Sequence, residues 1–215
     1  FNSLVRNANT TAVPRLYPIL VPSRVGSGSL REVLEFGHQL AAGGATLIQL
    51  REKRACSREI LQLARELRRI LPLEVRLIVN DRADLAVAAG LEGAHVGQDD
   101  LPPEAARRII GSGRLLGVST HNSEQVRVAN ESSADYLAIG PVFSTLSKEH
   151  PDPLIGLEGV KQARALTDKP LVAIGGITLA KCQSVIAAGA DSVAIITDLL
   201  RDPHKRTADF LLKMR

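Results

Sequence analysis

Short apolar runs recur along the chain at 16–21, 47–51, 76–80, 93–97, 115–119, 136–142, 171–175 and 192–197. They are rich in Val, Ile and Leu and continuous rather than alternating, as strands of a parallel sheet are when both faces are buried. Between them lie segments of helical period, among them 30–42, 58–70, 103–110, 158–166 and 179–188, each long enough to cross between parallel strands. Eight strand-like runs in such alternation predict an α/β protein whose residues 14–215 form one single-domain (β/α)8 TIM barrel. An internal echo accompanies the count, because the junctions starting at Gly44, Gly93, Ser133 and Gly189 resemble one another about two βα units apart. Gly-Ala turns are common in any α/β protein, so the alternation carries more weight than the echo.

Length and composition agree with one barrel. A chain of 215 residues that is 45% hydrophobic buries a substantial core as one domain. Residues 1–13 are polar, repeat Asn and Thr, and lack the continuous apolar segment of a signal peptide, so a disordered arm is expected there. No apolar run approaches the roughly 20 residues that cross a bilayer, which predicts a soluble protein with no membrane partner. Cys56 and Cys182 show no metal-ligand spacing and read as reduced thiols of a cytoplasmic protein. The net charge of +4 is spread among acids, and only 3% of residues are aromatic, so stacking platforms for nucleic acid are scarce. Cations gathered around small anionic substrates are the more economical reading. The sequence sets no oligomeric state.

Candidate chemistry stands where the apolar runs stop, the end of the strands that carries the active site in an α/β barrel. In an extended segment Gln49, Arg51 and Lys53 project to one side, and Leu50 and Glu52 to the other. Taken alone, that is equally the polar end of an ordinary strand with Arg51 paired to Glu52. Asp81 follows the third run and Asp100 the fourth, and neighbouring strands lie about 4.8 Å apart, so both carboxylates can reach one hard cation. Magnesium suits two carboxylates completed by water and phosphate oxygens; a helix N-cap is the other reading of Asp100. The Ser119 hydroxyl can donate to a phosphate or bridging oxygen. His121 reads as a hydrogen-bonded loop residue before a general acid, and His95 as a satisfied core residue.

The connection at 143–155 is the longest non-periodic one in the core and carries Thr145, Ser147 and Lys148, which suggests a lid or binding loop. After the seventh and eighth runs, Gly175, Gly176, Ile196 and Thr197 offer backbone N–H groups of the kind that hold phosphate in these barrels. Two anion sites over one barrel mouth imply two phosphorylated small-molecule substrates and group transfer rather than hydrolysis.

These residues, in order, resemble the thiamine phosphate synthase family: Gln49 to Lys53, Asn80 to Arg82, His95 to Asp100, Gly117 to His121, Gly140 to Thr145, Lys148 and Ala173 to Ile177. The match spans roughly residues 16–200. It implies a transferase of thiamine biosynthesis that couples hydroxymethylpyrimidine diphosphate to a thiazole phosphate with magnesium, releasing pyrophosphate. It further implies that Gln49, Arg51, Lys53, Asn80, Ser119 and Lys148 hold the pyrimidine diphosphate and that Asp81 and Asp100 hold magnesium. Thr145, Leu146 and Ser147, with Gly176 and the backbone at Ile196 and Thr197, would hold the thiazole phosphate. Ser147 replaces the usual threonine, and Asp99 the usual glutamate. Departure of pyrophosphate before the thiazole nitrogen bonds makes catalysis electrostatic, with Arg51, Lys53, Ser119 and Lys148 as the catalytic set. Two rivals are a thiazole tautomerase-like isomerase using a rim histidine, and a non-catalytic regulator that binds a phosphorylated metabolite. Neither needs Asp81, Asp100 and Lys148 together.

Overall fold

The computed structural model describes residues 13–144 and 153–215. The expected arm therefore lies, apart from Val13, outside the described residues, as do Thr145, Leu146, Ser147 and Lys148. Eight parallel strands close into a barrel in chain order: β1 (Leu16–Leu20), β2 (Leu47–Leu50), β3 (Arg76–Asn80), β4 (Gly93–Val96), β5 (Leu115–Thr120), β6 (Tyr136–Ile139), β7 (Leu171–Ile174) and β8 (Ser192–Ile195). Each is followed by a helix: α1 (Leu30–Ala42), α2 (Ser57–Ile70), α3 (Ala83–Ala88), α4 (Pro103–Ile110), α5 (Ser123–Asn130), α6 (Gly156–Arg164), α7 (Cys182–Ala187) and α8 (Pro203–Lys213). The expected (β/α)8 TIM barrel is the observed fold.

Where bounds differ from expectation, local chemistry explains it. The run at 136–142 stops being strand after Ile139 because Pro141, joined to Gly140 by a cis peptide, has no N–H for the ladder. The helix start signals are ordinary ones: Ser29 accepts from Glu32 N–H, Asn122 from Gln125 N–H and Asp202 from Lys205 N–H, each satisfying a donor that the first turn leaves open.

The apolar runs are continuous because each strand feeds two cores. Outward residues such as Leu16, Ile48, Leu77, Leu116, Leu137 and Val193 pack beneath the helices. Inward ones, Tyr17, Ile19, Leu47, Ile78, Leu115, Tyr136, Ala138, Val172 and Ala194, fill the barrel itself. The register aligns Asn80 with His95, His95 with Gly117 and Gly117 with Tyr136, so the polar side chains of β3, β4 and β6 stand at one level, with a glycine of β5 between the last two.

At the N-terminal end of the strands one arrangement occurs three times. Arg68 of α2 pairs with Glu92 ahead of β4 at 3.2 Å, Arg107 of α4 with Asp135 ahead of β6 at 2.6 Å, and Arg164 of α6 with Asp191 ahead of β8 at 2.8 Å. Each acid also accepts a backbone N–H near the start of the preceding strand, from Leu77 at 2.7 Å, Leu116 at 2.8 Å and Leu171 at 2.8 Å. Each arginine bonds carbonyls of the turn it crosses, Val75 and Pro72 for Arg68, Gly111 and Arg114 for Arg107, and Thr167 and Lys169 for Arg164. At Ser133 and Gly189 this is the physical content of the sequence echo; before β4 the acid, Glu92, stands one residue ahead of the Gly93 at which the echo begins. The fourth junction has Thr46 where the others have an acid, and there the backbone carbonyl of Thr46 accepts from Arg76 N–H at 3.0 Å.

Candidate active site

A cavity of about 580 Å³ opens at the C-terminal ends of the strands. Gln49, Arg51, Asn80 and Ser119 line one side of it, and Gly176, Ile196 and Thr197 the other. Seven sequence-derived site residues thus share one wall system, although they come from five different strands.

From β2, Gln49 reaches into the barrel and is 2% exposed. Its Nε2 donates to the Tyr17 hydroxyl at 2.7 Å, which lies 2.8 Å from the Tyr136 hydroxyl. Tyr136 is 2.9 Å from His95 Nδ1, and His95 Nε2 is 2.8 Å from Ser119 Oγ. The two tyrosine rings meet edge to face at 5.9 Å. Gly117 is what admits this line: a Cβ there would collide with the Tyr136 hydroxyl and His95 Nδ1. Burial pushes the Tyr17 and Tyr136 hydroxyls well above the ordinary phenol range and lowers the His95 imidazole to about 4. His95 is therefore the satisfied interior residue that was expected. His121 also matches its loop reading, with Nδ1 2.7 Å from the Gly140 carbonyl oxygen and its N–H donating to Gln125.

Beyond the strand ends, Lys53 Nζ sits 3.1 Å from Asp81 Oδ2. Asp81 has φ 64, the one positive φ at a non-glycine position among the described residues, and its N–H donates to the His95 carbonyl at 2.7 Å. Such a backbone costs of order 1–3 kcal/mol and persists where surroundings impose it. The geometry turns the Asp81 carboxyl toward Asp100, close enough for a hydrogen bond between the two acids. Burial first, and then this contact with Asp100, raise Asp81 to about 6 in spite of Lys53. Asp100 Oδ2 accepts the Gly97 N–H at 2.7 Å, while the residue at the start of α4 is Pro102, so the N-cap alternative for Asp100 does not hold.

Two hard carboxylates forced together fit a small divalent cation, which relieves their repulsion without a third acidic ligand. Among the described residues no group of three or more His, Cys, Asp or Glu gathers elsewhere for a metal. Beside the acids, Asn80 Nδ2 is buried with no hydrogen-bond partner. A donor that no protein group satisfies, lining a cavity, carries a desolvation cost that an acceptor atom of a ligand would remove.

Across the mouth, Gly175 and Gly176 have φ of 104 and 60. Side chains there would strike Pro141 and the Phe143–Ser144 backbone, so glycine lets the loop after β6 lie against the end of β7. Asp198 holds the turn after β8 by accepting from Leu179 N–H at 2.7 Å and pairing with Arg206 at 2.5 Å. Sequence reasoning did not single out Tyr17, Tyr136, Arg24 or Lys181, all placed in or beside this cavity. The tyrosines look like ordinary strand residues in a sequence. Lys181, whose Nζ is 4.5 Å from the centre of the Phe143 ring, lies in a segment that reads as plain helix.

The comparisons with known proteins point one way. A family model described as thiamine monophosphate synthase matches residues 16–199. A thiamine-phosphate synthase of Koribacter versatilis is 55% identical over 95% of this chain and 97% of its own, and one of Moorella thermoacetica is 42% identical over 85% and 86%. Among solved structures, a thiamine phosphate pyrophosphorylase from Pyrococcus furiosus superposes with a TM-score of 0.82 at 31% identity, covering 93% of this chain and 95% of that one.

Proposed function

Because the chain belongs to the thiamine monophosphate synthase family, we propose that it couples hydroxymethylpyrimidine diphosphate to a thiazole phosphate, giving thiamine phosphate and pyrophosphate. The observation that carries this reading is the contact between Asp81 and Asp100 at the cavity edge. Paired acids have no use in a site that only binds anions, because they repel them; they are useful where a cation is recruited to meet a diphosphate.

Asp81 and Asp100 would hold magnesium, which when bound supplies positive charge beside the leaving diphosphate. Arg51, Lys53 and Lys148 are assigned to the same diphosphate, with Lys53 already held at the acids through Asp81. Asn80 offers its unpaired amide to a substrate oxygen, and Ser119 its hydroxyl. Gln49 is assigned to the pyrimidine diphosphate with them. Thr145, Leu146, Ser147, Gly176, Ile196 and Thr197 are assigned to the thiazole phosphate; of these, the three at 145–147 rest on the resemblance, since they lie outside the described residues. No residue needs to form a covalent intermediate. As the carbon–oxygen bond to pyrophosphate breaks, negative charge grows on the leaving group, and each fixed donor there is worth on the order of 3 kcal/mol.

Among the described residues no helix is long and apolar enough to cross a membrane. Cys56 and Cys182 are unpaired thiols, one exposed and one buried, which supports a reducing, cytoplasmic setting.

A pyrophosphate-release assay with both substrates and magnesium tests the proposal. The wild type should release pyrophosphate only when both substrates are present. Asp100→Ala and Lys148→Ala should each lower turnover at least about tenfold while the melting temperature stays within a few degrees. Isomerisation of the thiazole without pyrophosphate release would favour the tautomerase reading, and binding without turnover the regulator.

A further inference from the structure

The buried line from Gln49 to Ser119 is unbranched, and its protons can be counted. Tyr17 and Tyr136 are 1% and 0% exposed, and among the described residues the Tyr17 hydroxyl meets Gln49 and Tyr136 and no third side chain. Gln49 presents its amide nitrogen, which only donates, so the Tyr17 oxygen accepts there. Two proton orders remain. In one, Tyr17 donates to Tyr136, Tyr136 donates to His95 Nδ1, and His95 Nε2–H donates to Ser119. In the other, Ser119 donates to His95 Nε2, His95 Nδ1–H donates to Tyr136, and Tyr136 donates to Tyr17. The second order leaves the Tyr17 hydroxyl accepting twice, with its own proton buried and without an acceptor, a costly arrangement. Only the first gives every proton in the line an acceptor.

The distinction decides what Ser119 is. The second order is that of an activated nucleophile, a serine whose proton is drawn off by an oriented histidine. The first leaves Ser119 with its hydroxyl proton directed away from His95 and toward the cavity it lines. We infer that the line runs from Gln49 toward Ser119, with His95 as the neutral Nε2–H tautomer, making Ser119 a hydrogen-bond donor to a departing diphosphate oxygen and Tyr17, Tyr136 and His95 its positioning residues. The identity of the acceptor rests on the activity proposed above; the tautomer does not.

Histidine tautomers are read directly by 15N NMR on protein labelled at histidine, without substrate. The His95 signals are assigned by their loss in His95→Gln. Expected is a protonated Nε2 and a bare, hydrogen-bonded Nδ1; a protonated Nδ1, or an even mixture, overturns the inference. Tyr17→Phe should leave that tautomer in place, because Tyr136 still donates to Nδ1. A kinetic cycle tests the positioning role. Tyr136→Phe should lower kcat by about fivefold with KM within about twofold, and Tyr136→Phe with Ser119→Ala should be no slower than Ser119→Ala alone. Losses that multiply in the double variant would show that Tyr136 acts independently of Ser119 and would overturn it. A protein with the expected tautomer but no pyrophosphate release would sink the proposed activity while leaving the proton order standing.

Discussion

The two ends of the barrel use polar residues in opposite ways. At the base, one solution is repeated: an arginine from an even helix, an acid two βα units along, and a strand N–H that donates to the same acid, at Arg68–Glu92, Arg107–Asp135 and Arg164–Asp191. Charges there are matched in number and sign, and the donors find backbone carbonyls. At the rim no strand end repeats another, two acids face each other, an amide is left unpaired and one aspartate takes a left-handed backbone. The base is locally satisfied and the rim is not, which is how stability and chemistry divide a barrel of this kind.

Breaking the base should produce the largest effect on stability. Arg107→Ala leaves the Asp135 carboxylate without its cation and uncovers the carbonyls of Gly111, Arg114 and Ser133. A loss of about 3 kcal/mol in urea denaturation is expected, with turnover per folded molecule unchanged. A variant that loses activity but keeps its stability would erase the division of labour between the ends.

A smaller effect separates the two ends by pH. His95 has a folded pKa of about 4 against 6.5 for the free residue, so the unfolded chain takes up the proton first as pH falls. Stability is thus lost from pH 6.5 downward, by about 2 kcal/mol at about pH 5. Asp81 acts in the other direction: its raised pKa means the folded state binds a proton between about 6 and 3.8, adding stability as pH falls. Denaturation midpoints across this range should therefore fall more steeply with acid in Asp81→Asn than in the wild type. A shallower fall would contradict the assignment of the raised pKa to Asp81.

The smallest signal is a proton count. At pH 6 about half of Asp81 is protonated, so magnesium binding should release a fraction of a proton, seen as a binding enthalpy that varies with the ionisation enthalpy of the buffer. Buffer-independent enthalpy would place the ion away from these acids.

The same contrast explains what a reader of the sequence can find. All eight strands were legible because burial on both faces makes each an unbroken apolar run, and the base echo was visible as recurring Gly-Ala and Ala-Asp junctions. The arginines that complete it were not, since Arg68, Arg107 and Arg164 sit in helices crowded with other charges. Gln49, Arg51, Asn80 and Ser119 were legible because polarity is unexpected where an apolar run ends. Tyr17 and Tyr136 were invisible for the opposite reason: a tyrosine in a strand raises no alarm, and only the closed barrel brings hydroxyls 119 positions apart to 2.8 Å.

Gly117 carries a consequence out of proportion to its size. The hydroxyl and the imidazole that meet beside it occupy the room a methyl group would need, so this position tolerates hydrogen and nothing larger. An alanine there would change no charge and would still part the Tyr136 hydroxyl from the imidazole, and with them the hold on Ser119 at the rim.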